Sequence, residues 1–227
     1  MHNAIIQKNF LKGTISVPPS KSFSHRAVIC AALAGGECFI SPLIFSQDVL
    51  ATINGMKSLG AEIEFLENGI KIKGFKRPSK EVFIDCFDSG STLRFLVPVA
   101  AALGIETVFK RSKSLAKRPM KALLDALEKA GVKSEVGEDF SLKISGKLNP
   151  GEFLLPGNIS SQFVSGLLMA LPILKESSKI TLTSKLESSG YIKITTEVME
   201  KFGASVKEIK DVFFIKGNQK YKPLDYT

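Results

Sequence analysis

Tryptophan is missing from this chain of 227 residues, and cysteine, histidine and tyrosine are scarce, at three, two and three residues. Each shortage narrows the reading. Cys30, Cys38 and Cys86 are odd in number and lack the spacing of metal ligands, so they predict buried free thiols in a reducing cytoplasm rather than a disulfide framework. The sequence also lacks an apolar run of the ~18 residues that a membrane span needs. Residues 95–105 come nearest, and Pro98 interrupts them. The opening MHNAIIQKNF has no basic segment leading into a long apolar stretch and a small-residue cleavage site, and no export signal is expected. Without tryptophan, and with most phenylalanines inside apolar segments rather than alternating with Lys and Arg, a base-stacking surface is disfavoured and nucleic acid takes second place as a partner.

What the chain does have is positive charge, a net +9, with 44% apolar residues, enough for a substantial core in one large domain or two small ones. The charge favours anionic partners without choosing among them. The basic cluster KIKGFKRPSK (residues 71–80) is expected to be solvated loop. A more pointed signal is PPSKSFSHRAVICAALA (residues 18–34), where two prolines lead into Ser20, Lys21, Ser22, Ser24 and Arg26 and then an apolar run. A helix that opens on hydroxyls and cations is suited to an anion, because its first N–H groups are free and carry the positive end of the dipole. Simple capping by Ser20 or Ser22 would account for the same residues in isolation.

Repetition argues for the anion. SQDVLATINGMKSLGAEIE, KRPMKALLDALEKAGVKSE and SGYIKITTEVMEKFGASVK each have apolar residues three and four apart and close on a glycine, at Gly60, Gly131 and Gly203, spaced 71 and 72 residues apart. The strands expected downstream end at Gly74, Gly146 and Gly217, spaced 72 and 71 apart. Upstream of each amphipathic helix, PSKSFSHR, DSGSTLR and NISSQF open a more apolar one. The predicted fold is α/β: three βαβαββ units, at about 15–79, 80–149 and 150–220, around a pseudo-threefold axis with the apolar helices at the centre. Their three N-termini would point one way and concentrate the anion site. Residues 5–13 read as a strand outside the repeat, and YKPLDYT (residues 221–227) as a tail with no capping element.

PSKSFSHR, DSGSTLR, RPM at Arg118 to Met120, NISSQF and SSGYIKIT at Ser188 to Thr195 together resemble the N-terminal half of the 5-enolpyruvylshikimate-3-phosphate synthase family. The resemblance runs over essentially the whole chain, in order. It implies one lobe of an inside-out α/β barrel, with residues 1–14 belonging to a C-terminal lobe that the chain lacks and 221–227 beginning the crossover to it. It also implies a cytoplasmic, monomeric enzyme that moves the enolpyruvyl group of phosphoenolpyruvate to the 5-hydroxyl of shikimate 3-phosphate. Neither metal nor organic cofactor is implied, and neither nucleic acid nor membrane as partner. As an isolated lobe the chain is expected to be inactive.

Carried over by position, Lys21, Ser22, Arg26, Ser160, Ser161, Gln162, Ser188 and Tyr191 would hold shikimate 3-phosphate, and Lys21, Gly90, Arg118 and Gln162 would face phosphoenolpyruvate, with Lys21 a candidate for proton transfer. Arg94, one helical turn beyond Gly90, either braces the lobe through an ion pair or touches substrate, and His25 is expected on a helix surface. Asp88 departs from the asparagine common at that place, and a charge there calls for a partner, with Arg94 at hand. The related UDP-N-acetylglucosamine enolpyruvyl transferases differ at two points, having an asparagine where this chain has Ser22 and usually a reactive cysteine where it has Lys113. A basic module like the RNA-phosphate cyclases is a rival of another class, and would bind RNA with steep salt dependence.

Overall fold

The computed structural model describes Ala4, Phe10, Pro78 and residues 12–76 and 81–227. The strand expected before Thr14 falls mostly outside those residues, as do Arg77, Ser79 and Lys80 of the basic cluster. The first unit comprises α1 (Lys21–Leu33), β1 (Glu37–Ile40), α2 (Gln47–Leu59), β2 (Ala61–Leu66) and β3 (Gly69–Phe75). The second has β4 (Val82–Asp85), α3 (Gly90–Leu103), β5 (Thr107–Lys110), the single turn α4 (Lys113–Ala116), α5 (Lys121–Lys129), β6 (Val132–Val136) and β7 (Leu142–Gly146). The third has β8 (Glu152–Leu155), α6 (Ser161–Ala170) continued by a 3₁₀ turn (Leu171–Ile173), β9 (Ser178–Leu182), α7 (Ser189–Lys201), β10 (Lys207–Ile209) and β11 (Val212–Ile215).

The repeat is visible in the sheets. The second is ordered β4-β5-β7-β6 and the third β8-β9-β11-β10, each with a parallel first pair and antiparallel pairs after it. The first sheet, β1-β3-β2, has three strands among the described residues. Its fourth place, beside β1, is taken from the other end of the sequence. Tyr226 forms a parallel bridge with Ile40, Ser41 N–H donates to Tyr226 O at 3.1 Å, and Tyr226 N–H donates to Phe39 O at 2.7 Å. Residues 221–227 are therefore no loose tail: Tyr221 is buried, and the Tyr226 ring stacks on Phe202. Lys71 likewise lies in β3 rather than in a loop, paired with Glu37 at 2.9 Å.

Gly60, Gly131 and Gly203 occupy equivalent places, just beyond α2, α5 and α7, with φ of 121°, 91° and 80° that a side chain would strain. Helices α1, α3 and α6 are buried on nearly every side, whereas α5 and α7 bury a single face. The central helices come together through close approaches. Pro98 has no N–H to offer the Arg94 carbonyl one turn earlier, and α6 lies against that carbonyl through Gly166.

Candidate functional site

The site is built from the N-termini of the three central helices. On α1, Ser22 and Arg26 are one turn apart and share a face. Arg26 is 2% exposed, and its guanidinium is largely engaged by protein. Nε donates to Thr195 Oγ1 at 2.6 Å, Nη1 to Ser22 O at 2.8 Å, and Nη2 to Ser165 Oγ and Tyr191 O at 3.3 and 3.2 Å. Of five N–H groups, one on Nη1 is left to turn toward a ligand. The Phe95 ring of α3 lies 4.8 Å beneath the guanidinium, and burial pushes its pKa down to about 10. Arg26 thus ties α1 to α3, α6 and α7 as well as lining the site. Arg26→Lys is expected to cost about 2–3 kcal/mol, since an ammonium reaches fewer of these acceptors and no carboxylate is paired with it. Thermal unfolding would check this, and a loss under 1 kcal/mol would deny Arg26 the bracing role. Lys21, half exposed, is held by Asp48 at 2.6 Å.

Helix α6 opens at Ser160, whose hydroxyl accepts from Gln162 N–H at 3.3 Å, so capping and site-lining coincide in one residue. Ser161 follows, 9% exposed, and Gln162 reaches across to α3. Its Nε2 donates to Ser91 Oγ at 2.8 Å, and its Oε1 accepts from Arg94 Nη1 at 2.7 Å. At the start of α7, Ser188 is held at φ 59°, a left-handed conformation uncommon for a residue with a side chain, and turns the chain into Tyr191. Ser22, Arg26, Ser91, Ser160, Ser161, Gln162, Ser188 and Tyr191 line one open cavity of about 310 Å³, with Ile159. Seven of the eight residues expected to hold shikimate 3-phosphate are among them, and Lys21 is not. Ser91, Ser165 and Thr195 were not singled out from the sequence, although Ser165 and Thr195 each fall four residues beyond an expected residue, on the same helical face.

Gly90, Arg118 and Gln162 meet beside this cavity, with Gln162 common to both. A Cβ on Gly90 would stand 3.1 Å from Arg94 Nη1, 3.3 Å from Arg118 Nη1 and 3.7 Å from Gln162 Oε1. The start of α3 is therefore flanked at Gly90 by two guanidiniums, neither of which forms an ion pair among the described residues. Burial, and then the Arg118 charge, lower the Arg94 pKa. Two guanidiniums without an ion-pair partner beside the N-terminus of a helix suit a phosphate or carboxylate.

Two expectations fail here. Asp88 is not paired with Arg94: it accepts a hydrogen bond from the Ser112 hydroxyl at 2.5 Å, and Ser112 N–H donates to Phe87 O, so the Gly90 loop is docked onto the loop that carries Arg118. Arg94 braces the lobe through neutral acceptors, Gln162 Oε1 and Pro119 O, rather than an ion pair. Nor is His25 on a surface. It is 1% exposed, with Nδ1 2.7 Å from Thr52 Oγ1, and burial pushes its pKa down to about 3. The three cysteines are free and buried, as expected.

Comparison with known proteins bears on the fold and the family. Residues 5–227 match the family model for EPSP synthase (3-phosphoshikimate 1-carboxyvinyltransferase). A 3-phosphoshikimate 1-carboxyvinyltransferase of Clostridium perfringens is 48% identical across all of this chain and 54% of its own length. One from Clostridium kluyveri is 45% identical over 95% of the chain and 51% of its own length. Among solved structures, EPSP synthase from Acinetobacter baumannii superposes with a TM-score of 0.79 at 25% identity, over 94% of this chain and 48% of that one. The enolpyruvyl transferase NikO from Streptomyces tendae, at 16% identity, shares the fold with a TM-score of 0.70. The chain spans about half the length of the curated relatives it matches. With the motifs, the threefold repeat and the family match in agreement, the chain belongs to the EPSP synthase family.

Proposed function

We propose that this chain carries the shikimate-3-phosphate-binding half of an EPSP synthase, which transfers the enolpyruvyl group of phosphoenolpyruvate to the 5-hydroxyl of shikimate 3-phosphate and releases phosphate. The observation that supports this most directly is the convergence of Ser22, Arg26, Ser160, Ser161, Gln162, Ser188 and Tyr191, drawn from three helices, on one cavity. Its hydroxyls and single free arginine N–H match a phosphate and the ring substituents beside it. The hollow at Gly90, between Arg94 and Arg118, receives phosphoenolpyruvate. Gln162 spans the two and holds the substrates next to each other.

Lys21, exposed at the opening of α1, serves proton transfer once substrate draws it from Asp48. A second lobe, corresponding to the further length of the relatives, closes over this face with the remaining acid–base groups; residues 1–14 and 221–227 are its connections. The complete protein acts as a monomer in the cytoplasm, where the three buried thiols stay reduced. Ser22 and Lys113 set it apart from the UDP-N-acetylglucosamine enzymes.

Calorimetric titration of the chain tests the reading. Shikimate 3-phosphate is expected to bind at least ~10-fold more tightly than shikimate, because losing the phosphate leaves positioned donors unpaired. Ser161→Ala should cost about 1 kcal/mol of that binding. Equal affinity for the two ligands would overturn the assignment.

A further inference from the structure

Behind the Gly90 hollow runs a buried file of polar side chains that the assignments above leave unused. His25 Nδ1 lies 2.7 Å from Thr52 Oγ1, Thr52 Oγ1 2.8 Å from Thr92 Oγ1, and Thr92 Oγ1 2.7 Å from Ser89 Oγ. The four residues stand on α1, α2, α3 and at the cap of α3, and none is more than 1% exposed. Apolar side chains of the same shape would join these helices with no polar group to satisfy. Packing therefore does not account for the file.

The file has a direction. A neutral imidazole offers one donor and one acceptor, and His25 Nε2 has no partner among the described residues. An orphaned buried N–H is rarer than an orphaned acceptor, which puts the proton on Nδ1 and makes His25 the donor to Thr52. Thr52 has the Asp48 carbonyl only at 3.5 Å and donates instead to Thr92. Thr92 in turn donates to the Asp48 carbonyl at 3.1 Å, and its oxygen accepts from the Ser89 hydroxyl, so that each hydroxyl proton of the file has an acceptor. Ser89 Oγ also accepts from the Thr92 N–H at 3.1 Å. Its proton and one of its lone pairs are then both engaged by Thr92 on the inner side.

That matters because a capping hydroxyl can accept from either the second or the third N–H of its helix. Held on Thr92, the third, Ser89 leaves the N–H groups of Gly90 and Ser91 for a ligand. We infer that His25 is a positioning residue for the anion bound at Gly90. Acting through Thr52 and Thr92, it keeps the Ser89 cap on the third amide and the first two amides of α3 free. This rests on the proposal that the Gly90 hollow takes the phosphate of phosphoenolpyruvate, and it adds what holds that hollow ready.

The test follows the Gly90 and Ser91 amide signals by nuclear magnetic resonance while inorganic phosphate is added to the 227-residue chain. Thr52 touches neither amide, so Thr52→Val interrupts the file at a distance with little change of shape, and Thr52→Ser restores the hydroxyl. Thr52→Val is expected to weaken phosphate binding roughly 3- to 10-fold, the worth of about one hydrogen bond, and Thr52→Ser to recover it. The ¹⁵N signals of His25 should show the proton on Nδ1. A residue that only packs would lower the unfolding midpoint in Thr52→Val and leave the phosphate response unchanged; that outcome, or a proton on Nε2, overturns the inference. If the unsubstituted chain shows no phosphate response at Gly90, the reading of the hollow itself fails, and the inference with it.

Discussion

Replacing Gly166 by alanine is expected to destabilise the chain by about 2–3 kcal/mol, although alanine is the better helix former by about 1 kcal/mol. The new Cβ would stand 2.3 Å from the Arg94 carbonyl oxygen, 3.2 Å from its carbon and 3.0 Å from Pro98 Cγ. Two of these are backbone atoms and the third belongs to a ring, so no side-chain rotation relieves the contact, and α6 must move away from α3. On a domain of this size the loss corresponds to roughly 5–10 °C in melting temperature. Gly90→Ala is the matched control. Its Cβ would meet only the ends of Arg94, Arg118 and Gln162, at 3.1 to 3.7 Å, so stability should change by less than about 1 kcal/mol while the space between the two guanidiniums narrows. Melting both variants by circular dichroism decides the matter. A Gly166→Ala chain as stable as the parent would mean that α3 and α6 are not in the close contact described.

The second large effect is a loss of stability in mild acid. In the folded chain His25 stays neutral down to about pH 3, because burial outweighs the attraction of Asp48, while Arg26 and Lys21 oppose the proton further. Unfolded, it takes up a proton near pH 6.5. Between those values the unfolded chain binds the extra proton, so stability falls as pH falls, by about 1.4 kcal/mol per unit. From pH 7 to pH 5 the loss is about 2 kcal/mol. Exposed carboxylates such as Glu152, whose pKa is lowered by Lys179, add their own losses only nearer pH 4. Denaturant unfolding at pH 7, 6 and 5, followed by circular dichroism because there is no tryptophan, measures the slope. His25→Asn should lower stability at pH 7 and flatten that slope; an equal slope in the two proteins would place the titration elsewhere.

The misreading of His25 shows where sequence patterns stop. The turn glycines were legible because the need for positive φ is local and recurs with each unit, and the cavity-lining serines because they open helices. Whether the far side of α1 meets water depends on Thr52 and Phe95, which belong to other helices. Neighbours in sequence say nothing of them. Asp88 and Arg94 looked like a pair because they lie close along the chain and carry opposite charge. The fold instead puts Ser112 against the aspartate, and Gln162 and Pro119 against the arginine, over separations of 24 to 68 residues. The fourth place in the first sheet was illegible for the same reason, with Tyr226 standing 186 positions beyond Ile40.

That last arrangement bears on how the chain is made. A ribosome adding 5–20 residues per second needs roughly 10–40 s to travel from Ile40 to Tyr226, and for all of that time the outer edge of β1 lacks the partner it has in the folded chain. An unpaired edge on a nascent chain is a template for the wrong strand, whether from a second nascent copy or from a later segment of the same one. Of the three units, the first is thus the last to have its sheet completed.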